Sequence, residues 1–169
     1  LLLENIHPDG AAALEKAGFV VETEDRALEG EELAARLEGV NVLGIRSKTQ
    51  VTAAHLREAD SLLAVGAFCI GTDQIDLSAA ADTGIAVFNA PYSNTRSVVE
   101  LALAEVIALT RGLVQKNTMM HEGVWDKSAA GAHEVRGRAL GIVGYGNIGA
   151  QLSVLAEALG MVVYFYDTV

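Results

Sequence analysis

The residues with the clearest chemical signature form a glycine-rich turn near the end of the sequence. The turn Gly144-Tyr145-Gly146-Asn147-Ile148-Gly149 has the spacing G-x-G-x-x-G, and it separates the apolar run 140–143 from a segment with leucines at helical spacing. The next apolar run ends in Asp167. A strand, such a turn, a helix and an acidic residue about twenty positions further on are typical of a site that binds a dinucleotide. The pattern therefore predicts a site for NAD.

The glycines and the start of the following helix have separate expected roles. Gly144 permits the tight turn, Gly146 leaves room for the backbone to approach the pyrophosphate, and Gly149 lets the helix pack closely on the strand. The backbone N–H groups at the helix N-terminus, at Asn147 and Ile148, would face the phosphates. The alternative is a glycine-rich turn that binds no ligand.

Asp167 is expected to select the cofactor. Its carboxylate can accept hydrogen bonds from both hydroxyls of the NAD ribose, whereas the 2′-phosphate of NADP would meet a like charge. Thr168, not an arginine, follows Asp167, so no adjacent cation compensates that phosphate. We therefore predict a preference for NAD.

A second candidate group is the basic loop Arg46-Ser47-Lys48, which follows the apolar run 40–45. A guanidinium suits a carboxylate or a phosphate because it donates two parallel hydrogen bonds. The chain has a formal net charge of −10, so an anionic ligand needs such local positive charge. The residues alone leave open whether Arg46 and Lys48 bind a ligand or are ordinary surface charges.

The remaining residues with reactive side chains form no recognisable constellation. Cys69 is the only cysteine, and we expect it to be a small buried hydrophobic residue without thiol chemistry. Of the four histidines, His55 falls in a predicted helix and His133 in a loop, and both are predicted to face solvent. We assign no catalytic residue and no metal ligand in this sequence.

Short apolar runs alternate with amphipathic segments before residue 90, which indicates β–α units around a parallel sheet. The predicted strands are 1–3, 19–21, 40–45, 62–65 and 85–88. The predicted helices are 10–17, 31–37, a segment that begins after Thr52, and 77–82. Asp9 is the predicted cap of the first of these helices, and Thr52 is the predicted cap of the third. The fold class is therefore α/β, beginning with a flavodoxin-like domain.

The alternation breaks at Pro91 and its polar neighbours, which predicts a crossover between domains. A helix is predicted over 95–117. Its stretch 98–109 is apolar almost all round, as in a helix buried against other elements or a partner subunit. After an irregular segment, the predicted elements are strand 139–143, helix 148–159 and strand 161–166.

These elements predict two domains. Residues 1–92 would bind the substrate, and residues 93–169 would be the start of a Rossmann domain that binds NAD. The sequence begins without Met and stops directly after an apolar strand, so we expect it to be an N-terminal fragment.

Composition narrows the classes of partner. Hydrophobic residues make up 51% of the chain, which is enough for a folded core. The acidic net charge repels phosphate backbones and anionic lipids, so we expect neither nucleic-acid nor membrane binding. No run reaches transmembrane length without charge, and a lone cysteine fits a reducing compartment. We expect a cytoplasmic protein.

Four stretches of the sequence resemble the D-2-hydroxyacid dehydrogenase family. They are the glycine-rich turn, Gly44-Ile45-Arg46-Ser47-Lys48-Thr49, Gly66-Ala67-Phe68-Cys69-Ile70-Gly71-Thr72 and Phe88-Asn89-Ala90-Pro91-Tyr92-Ser93-Asn94-Thr95-Arg96-Ser97-Val98-Val99-Glu100. The resemblance spans essentially the whole chain. The last two stretches are specific to one branch, whereas the turn is shared by many dehydrogenases. The resemblance implies a substrate domain and a nucleotide domain, with the active site in the cleft between them.

The resemblance also assigns residues to each ligand. Those implied to line the substrate site are Arg46, Ser47, Lys48, Cys69, Ile70, Gly71, Asn94 and, from the neighbouring subunit, Lys127. Those implied to bind NAD are Ile70, Val98, Gly144, Gly146, Asn147, Ile148, Gly149 and Asp167. Val98 would lie close to the nicotinamide. A homo-oligomer, either a dimer or a tetramer, is implied, and Trp125 is expected at a subunit interface.

The implied activity is the NAD-dependent oxidation of a small anionic D-2-hydroxy acid. Arg46, Lys48 and Lys127 favour the phosphorylated D-3-phosphoglycerate, at the head of serine synthesis, over a substrate of the glycerate or lactate type. The family's catalytic Arg, Glu and His match no position of this sequence, so we expect this chain alone to be inactive. The alternative is a non-catalytic, NAD-sensing binding protein of the same fold.

Overall fold

A computed structural model describes residues 1–168, and the chain divides into two compact units between Ser93 and Asn94. This boundary lies one residue from the predicted one. The roles of the two units, one for a substrate and one for NAD, stay predictions.

The first unit is a parallel sheet with helical connections. Its elements are α1 (Pro8–Lys16), α2 (Gly30–Arg36), β1 (Val42–Ile45), α3 (Ala53–Glu58), β2 (Ala64–Ala67), α4 (Leu77–Thr83) and β3 (Ala86–Asn89). The strands are parallel in the order β1-β2-β3. Leu2 extends this sheet, because it forms parallel bridges to Gly44 of β1 and to Thr23 on its other side. The resulting order of segments, 2-1-3-4-5, is the flavodoxin-like order, which confirms the predicted fold class.

The core of the first unit consists of apolar strand and helix residues whose side chains are almost completely buried from solvent. Leu43, Ile45 and Val65 of the strands are buried, together with Leu33 of α2 and Leu56 of α3. Full burial of one such side chain is worth about 1.5–3 kcal/mol. This packing fixes the strand ends, and therefore the loops that leave them.

Two predictions for the start of the chain were wrong. Residues 19–21 form no strand, and Val20 is 94% exposed. The bridge partner of Leu2 is Thr23 instead, because Leu2 bonds the backbones of Glu22 and Glu24. Helix α1 is also not capped by Asp9.

The cap of α1 is His7, whose side chain accepts a hydrogen bond from the Asp9 N–H, and the helix begins at Pro8. Proline favours the first helical position because its fixed φ suits the helix and its missing N–H would have no partner there. Asp9 lies in the first turn, where its charge is favourable to the helix dipole.

His55 was predicted to face solvent, and this was wrong. The residue is 7% exposed. Its Nδ1 lies 3.2 Å from the Thr52 backbone N–H, and its Nε2 lies 3.1 Å from the Gly30 carbonyl oxygen. Thr52 is the N-cap of α3, as predicted, and His55 completes a reciprocal capping box. His133 is exposed, as predicted.

Within residues 94–168, the second unit contains two strands and three helices. Its elements are α5 (Thr95–Thr110), α6 (Leu113–His121), β4 (Ala139–Val143), α7 (Asn147–Ala158) and β5 (Val162–Tyr166). Strands β4 and β5 are parallel, with Ala139 opposite Val162 and Val143 opposite Tyr166. Helix α5 packs against α7. This is the β–α–β unit that begins a Rossmann fold.

The single helix predicted over 95–117 is two helices. Gly112 interrupts it with a φ of +60°, a left-handed conformation that glycine adopts without steric cost. The apolar face of α5 is largely uncovered, since Thr95 and Val99 are its buried residues and Leu109 is 74% exposed. The prediction that a partner subunit covers this face therefore stays a prediction.

Among residues 1–168, no helix combines the length and the apolar character needed to cross a membrane.

Candidate functional site

The glycine-rich turn of the second unit connects β4 to α7. Gly144 follows the strand with a φ of +91°, and its N–H donates to the Tyr166 carbonyl oxygen at 2.9 Å. Gly146 is the N-cap of α7, and the helix begins at Asn147 and Ile148. The N–H groups of this first helical turn have no partners within the helix, which makes the turn suited to an anion.

The spacing around the glycines fits a dinucleotide. A Cβ on Gly149 would collide with the Gly144 carbonyl oxygen and lie 3.2 Å from Cγ2 of Ile142. Helix and strand are therefore as close here as the fingerprint requires. A Cβ on Gly146 would meet nothing within 4 Å, so the space in front of the turn is open to a ligand.

Asp167 lies beside this turn, after β5. Its Oδ2 accepts a hydrogen bond of 2.5 Å from the Tyr145 backbone N–H, and its Oδ1 accepts one of 2.7 Å from the Thr168 N–H. The structure thus brings the acidic residue and the glycines together, as the sequence pattern predicts. A ribose bound at the turn would find a carboxylate within its reach.

Tyr145 contributes to this site in a way that the sequence analysis missed. Its ring stacks on Phe165 at 3.9 Å between centroids, and its hydroxyl lies 2.6 Å from Oγ of Ser153 on α7. The ring is therefore fixed to both the strand and the helix. This fixes the backbone N–H that contacts Asp167. A tyrosine at a variable position of the motif gives no sequence signal for such a role.

The basic loop of the first unit follows β1, and it is held by a residue that the sequence analysis missed. The Glu4 carboxylate accepts hydrogen bonds from the backbone N–H groups of Arg46 at 3.1 Å, Lys48 at 3.0 Å and Thr49 at 2.9 Å. Burial raises the pKa of the Glu4 carboxyl, but the hydrogen bonds from Thr49, Lys48 and Arg46 outweigh it and hold this pKa below its ordinary value. The only available signal was an acidic residue directly after the first apolar run.

Gln74 connects this loop to the one that follows β2. Its buried side-chain amide donates to the Arg46 carbonyl oxygen at 2.8 Å and to the Gly71 carbonyl oxygen at 3.4 Å, and it lies 3.3 Å from Sγ of Cys69. The Cys69 thiol lies 3.2 Å from the Gly71 carbonyl oxygen. Cys69 is half-buried rather than buried as predicted, because it lies in this loop and only packs against the edge of the core.

The two loops lie at the carboxyl ends of adjacent parallel strands, where open α/β sheets bind their ligands. Arg46, Ser47 and Lys48 are exposed, and neither cation forms an ion pair with any of residues 1–168. Within the same residues, the backbone N–H groups of Ile70 and Gly71 form no hydrogen bond. The edge therefore offers cations and free amide donors to an anion.

The other predicted site residues belong to the second unit. Asn94 is the exposed N-cap of α5, and its carbonyl oxygen accepts from the Val98 N–H at 3.0 Å. Lys127 lies in the segment after α6, with its Nζ 5.9 Å from the centroid of the Trp125 ring. Trp125 is 68% exposed. Within residues 1–168, no group of three or more His, Cys, Asp or Glu side chains is arranged to hold a metal ion.

The comparisons with known proteins agree with this geometry. The family described as D-isomer specific 2-hydroxyacid dehydrogenase, catalytic domain, matches residues 1–168. The chain therefore belongs to the D-isomer specific 2-hydroxyacid dehydrogenases.

Curated relatives narrow the similarity to one kind of enzyme. The chain is 52% identical over 168 residues to the D-3-phosphoglycerate dehydrogenase of Haemophilus influenzae. This match covers 99% of this chain and 41% of that protein. It is 50% identical to the enzyme of that name from Escherichia coli K12, with the same coverage of both chains. It is also 50% identical to D-3-phosphoglycerate dehydrogenase 1 of Saccharomyces cerevisiae, and this match covers 100% of this chain and 36% of that protein. The chain thus spans about two fifths of the length of the curated relatives it matches.

Solved structures confirm the fold. The TT0316 protein of Thermus thermophilus superposes with a TM-score of 0.87 at 28% identity, covering 99% of this chain and 56% of that one. The D-lactate dehydrogenase of Aquifex aeolicus, complexed with NAD and lactic acid, superposes with a TM-score of 0.83 at 21% identity, covering 99% and 51%. At that identity the second match supports the fold alone.

Proposed function

We propose that this chain supplies the substrate-binding unit and the first part of the NAD-binding unit of an enzyme that oxidises D-3-phosphoglycerate to 3-phosphohydroxypyruvate. This reaction is the first step of L-serine biosynthesis. The observation that carries the proposal is the basic loop, which presents two cations without ion-pair partners among residues 1–168. It does so in a chain about half identical to enzymes of that name.

The glycine-rich turn would hold NAD. The N–H groups at Gly146, Asn147 and Ile148 would bind the pyrophosphate, and Asp167 would accept hydrogen bonds from the ribose hydroxyls. When bound, NAD would accept the hydride that leaves C2 of the hydroxy acid. Gly144 and Gly149 would keep the turn tight. Ile70 and Val98 would be the apolar neighbours of the nicotinamide.

The loops of the first unit would hold the acid. Arg46 and Lys48 would bind its anionic groups, and the N–H groups of Ile70 and Gly71 would bind the carboxylate. The residues that complete the substrate site in this proposal are Ser47, Cys69, Asn94 and, from a neighbouring subunit, Lys127. These contacts bind and orient the substrate, so that the hydrogen on C2 is presented to the cofactor.

A homo-oligomer, a dimer or a tetramer, would cover the exposed apolar face of α5 and the Trp125 region. Large apolar patches are seldom left in contact with water. The exposed residues that support this are Leu101, Ile107, Leu109, Leu113, Val114 and Trp125. The lone cysteine fits a cytoplasmic enzyme.

The test is to measure kcat/KM for D-3-phosphoglycerate, D-glycerate and D-lactate with the intact protein and NAD. D-Glycerate differs from D-3-phosphoglycerate by the phosphate alone, so its complex lacks at least one charge-assisted contact. We therefore expect kcat/KM to be about tenfold or more higher for the phosphorylated acid. Equal use of the three acids would contradict the proposed substrate. Absence of turnover with every acid would instead favour a non-catalytic, NAD-sensing protein.

Arg46→Ala in the intact protein should raise the KM for D-3-phosphoglycerate about tenfold or more, because a hydrogen bond to a charged group is worth about 1.5–3 kcal/mol. The KM for NAD should not change. Arg57→Ala is the matched control, since Arg57 is an exposed arginine on α3 without an ion pair among residues 1–168. An unchanged KM in the Arg46 variant would remove Arg46 from the site.

A further inference from the structure

Glu4 has an unusual conformation for its position. It follows Leu2 and Leu3 at the end of their sheet segment, and it is 7% exposed. Its φ is +61°, and that of the next residue, Asn5, is +53°. Two consecutive residues other than glycine in the left-handed region are rare, because a side chain there crowds the backbone. Such strain persists only where surrounding contacts determine it.

The hydrogen bonds that the Glu4 carboxylate accepts all come from one loop, whereas the backbone N–H groups of Glu4 and Asn5 donate to the carbonyl oxygens of Arg26 and Glu24. The carboxylate oxygen Oε1 accepts from the N–H groups of Arg46 and Thr49, and Oε2 accepts from the N–H of Lys48. The bend turns the carboxylate towards three backbone donors of residues 46–49. A loop that directs several N–H groups at one oxyanion is held in a single conformation by it.

The bonds leave the cationic side chains of the loop available. Arg46 and Lys48 are bound to Glu4 through their backbones, and both residues are exposed. Gln74 holds the same loop from a second side through the Arg46 carbonyl oxygen, at 2.8 Å. The backbone of Arg46 is thus fixed at both its N–H and its C=O.

A buried negative charge near a basic loop weakens the electrostatic attraction of that loop for an anion. The three amide hydrogen bonds of Glu4 offset this effect, because they hold the loop in one conformation. We propose that Glu4 is a positioning residue for the anionic substrate, because its carboxylate holds residues 46–49 in the conformation that presents Arg46 and Lys48. This inference rests on the proposed substrate role of that loop.

The decisive variant is Glu4→Gln in the intact protein. The amide oxygen of glutamine can replace Oε1 for Arg46 and Thr49, but its NH2 group then faces the Lys48 N–H, so two donors oppose each other. We expect the KM for D-3-phosphoglycerate to rise about tenfold, as for one lost charge-assisted hydrogen bond. The kcat and the KM for NAD should stay unchanged. Hydrogen exchange in peptides that span 46–49 should become faster.

Two further variants make the result specific. Glu4→Asp keeps the charge with a shorter side chain, so it should recover part of the loss. It also serves as the test variant if the glutamine variant does not fold, since its KM for the acid should still exceed that of the wild type. Glu22→Gln is the control, because Glu22 is an exposed carboxylate of the same unit that bonds Arg36 instead of the loop. It should behave as wild type.

Other results would overturn the inference. An unchanged KM with faster exchange at 46–49 would make Glu4 a structural residue only. A joint fall in kcat, in affinity for both substrates and in stability would indicate a general folding defect. If the wild type does not oxidise D-3-phosphoglycerate, the proposed function fails separately. Inorganic phosphate is then the probe, and the inference stands only if Glu4→Gln weakens the protection that phosphate gives to 46–49.

Discussion

At the scale of single residues, Glu4 and Asp167 each bind the backbone amides of a turn that is proposed to hold a ligand. Glu4 accepts from three N–H groups of the basic loop, and Asp167 accepts from the Tyr145 N–H of the glycine-rich turn. In both cases the carboxylate comes from one segment, and the amides come from the turn that is proposed to hold a ligand. Each turn is therefore tied to a neighbouring part of its own unit, which limits the shapes it can take.

Asp167→Ala should reduce the preference for NAD over NADP. A carboxylate at about 4 Å from the 2′-phosphate repels it by roughly 4 kcal/mol at an effective dielectric of 20, and solvent lowers this figure. We expect the wild type to prefer NAD by about a hundredfold, and the variant to lose most of that preference. The measurement is kcat/KM for each cofactor with the intact protein.

Asp167→Asn separates charge from structure in that experiment. Asparagine retains a carbonyl oxygen that can accept from the Tyr145 N–H, but it carries no charge. The NH2 group of asparagine would replace Oδ1 and lose the hydrogen bond from the exposed Thr168 N–H. The cofactor preference should therefore fall, while the loss of stability should be smaller than in Asp167→Ala. Equal use of both cofactors by the wild type, or an unchanged ratio in both variants, would refute the role of Asp167.

At the scale of elements, side-chain amides join the loops at the carboxyl edge of the first sheet. Gln74 connects the loop after β1 to the loop after β2, and Asn89, at the end of β3, donates to the Ile70 carbonyl oxygen at 2.7 Å. Three successive strand ends are thus linked. The relative positions of the cations and the free amides depend on these links as well as on the strands.

Gly149→Ala should destabilise the protein, because a Cβ at this position would collide with the backbone carbonyl of Gly144. Backbone atoms cannot give way as a flexible side chain does, so helix α7 would have to move away from β4. We expect a loss of about 1–3 kcal/mol in the free energy of unfolding, as for overpacking, measured by urea denaturation. The dissociation constant for NAD should rise as well.

Gly141→Ala is the matched control on β4. A Cβ on Gly141 would meet nothing within 4 Å. The same chemical change should therefore cause no loss of stability and no change in NAD binding. Similar effects of the two substitutions would show that the close approach of Gly149 to Gly144 is not the cause.

At the scale of the whole molecule, the chain is a member of a dehydrogenase family. It divides into two units, and we propose a different task for each of them. The first unit carries the basic loop and the free amides. The second carries the glycine-rich turn, together with an apolar helix whose face is largely uncovered. The division falls at the polar segment that contains Pro91.

The 169-residue chain by itself should produce no NADH from D-3-phosphoglycerate and NAD. The proton-accepting His implied by the family resemblance, with its Glu and Arg partners, matches no residue of this sequence. The check is the absorbance of NADH, with the intact protein as the positive control. Measurable turnover by the 169-residue chain would show that the proton acceptor lies among these residues.

Sequence patterns alone determined the fold class and the residues of the glycine-rich turn. Buried parallel strands read as continuous apolar runs, and β1 to β5 all fall in or next to predicted runs. The spacing of Gly144, Gly146, Gly149 and Asp167 is a local constraint on one β–α–β unit. Such constraints can be read from sequence because the residues involved are fixed by chain geometry over a short distance.

Tertiary structure decided the features that depend on distant partners. His55 can be buried because its ring Nε2 has a polar partner in the Gly30 carbonyl oxygen, which is distant in the sequence. Glu4 holds residues 46–49 across about forty positions of chain, a pairing that arises because Leu2 pairs with Gly44. Helical periodicity also could not show the break at Gly112, since a glycine within a helical pattern is often tolerated. Only the packed chain shows which side chains such contacts bring together.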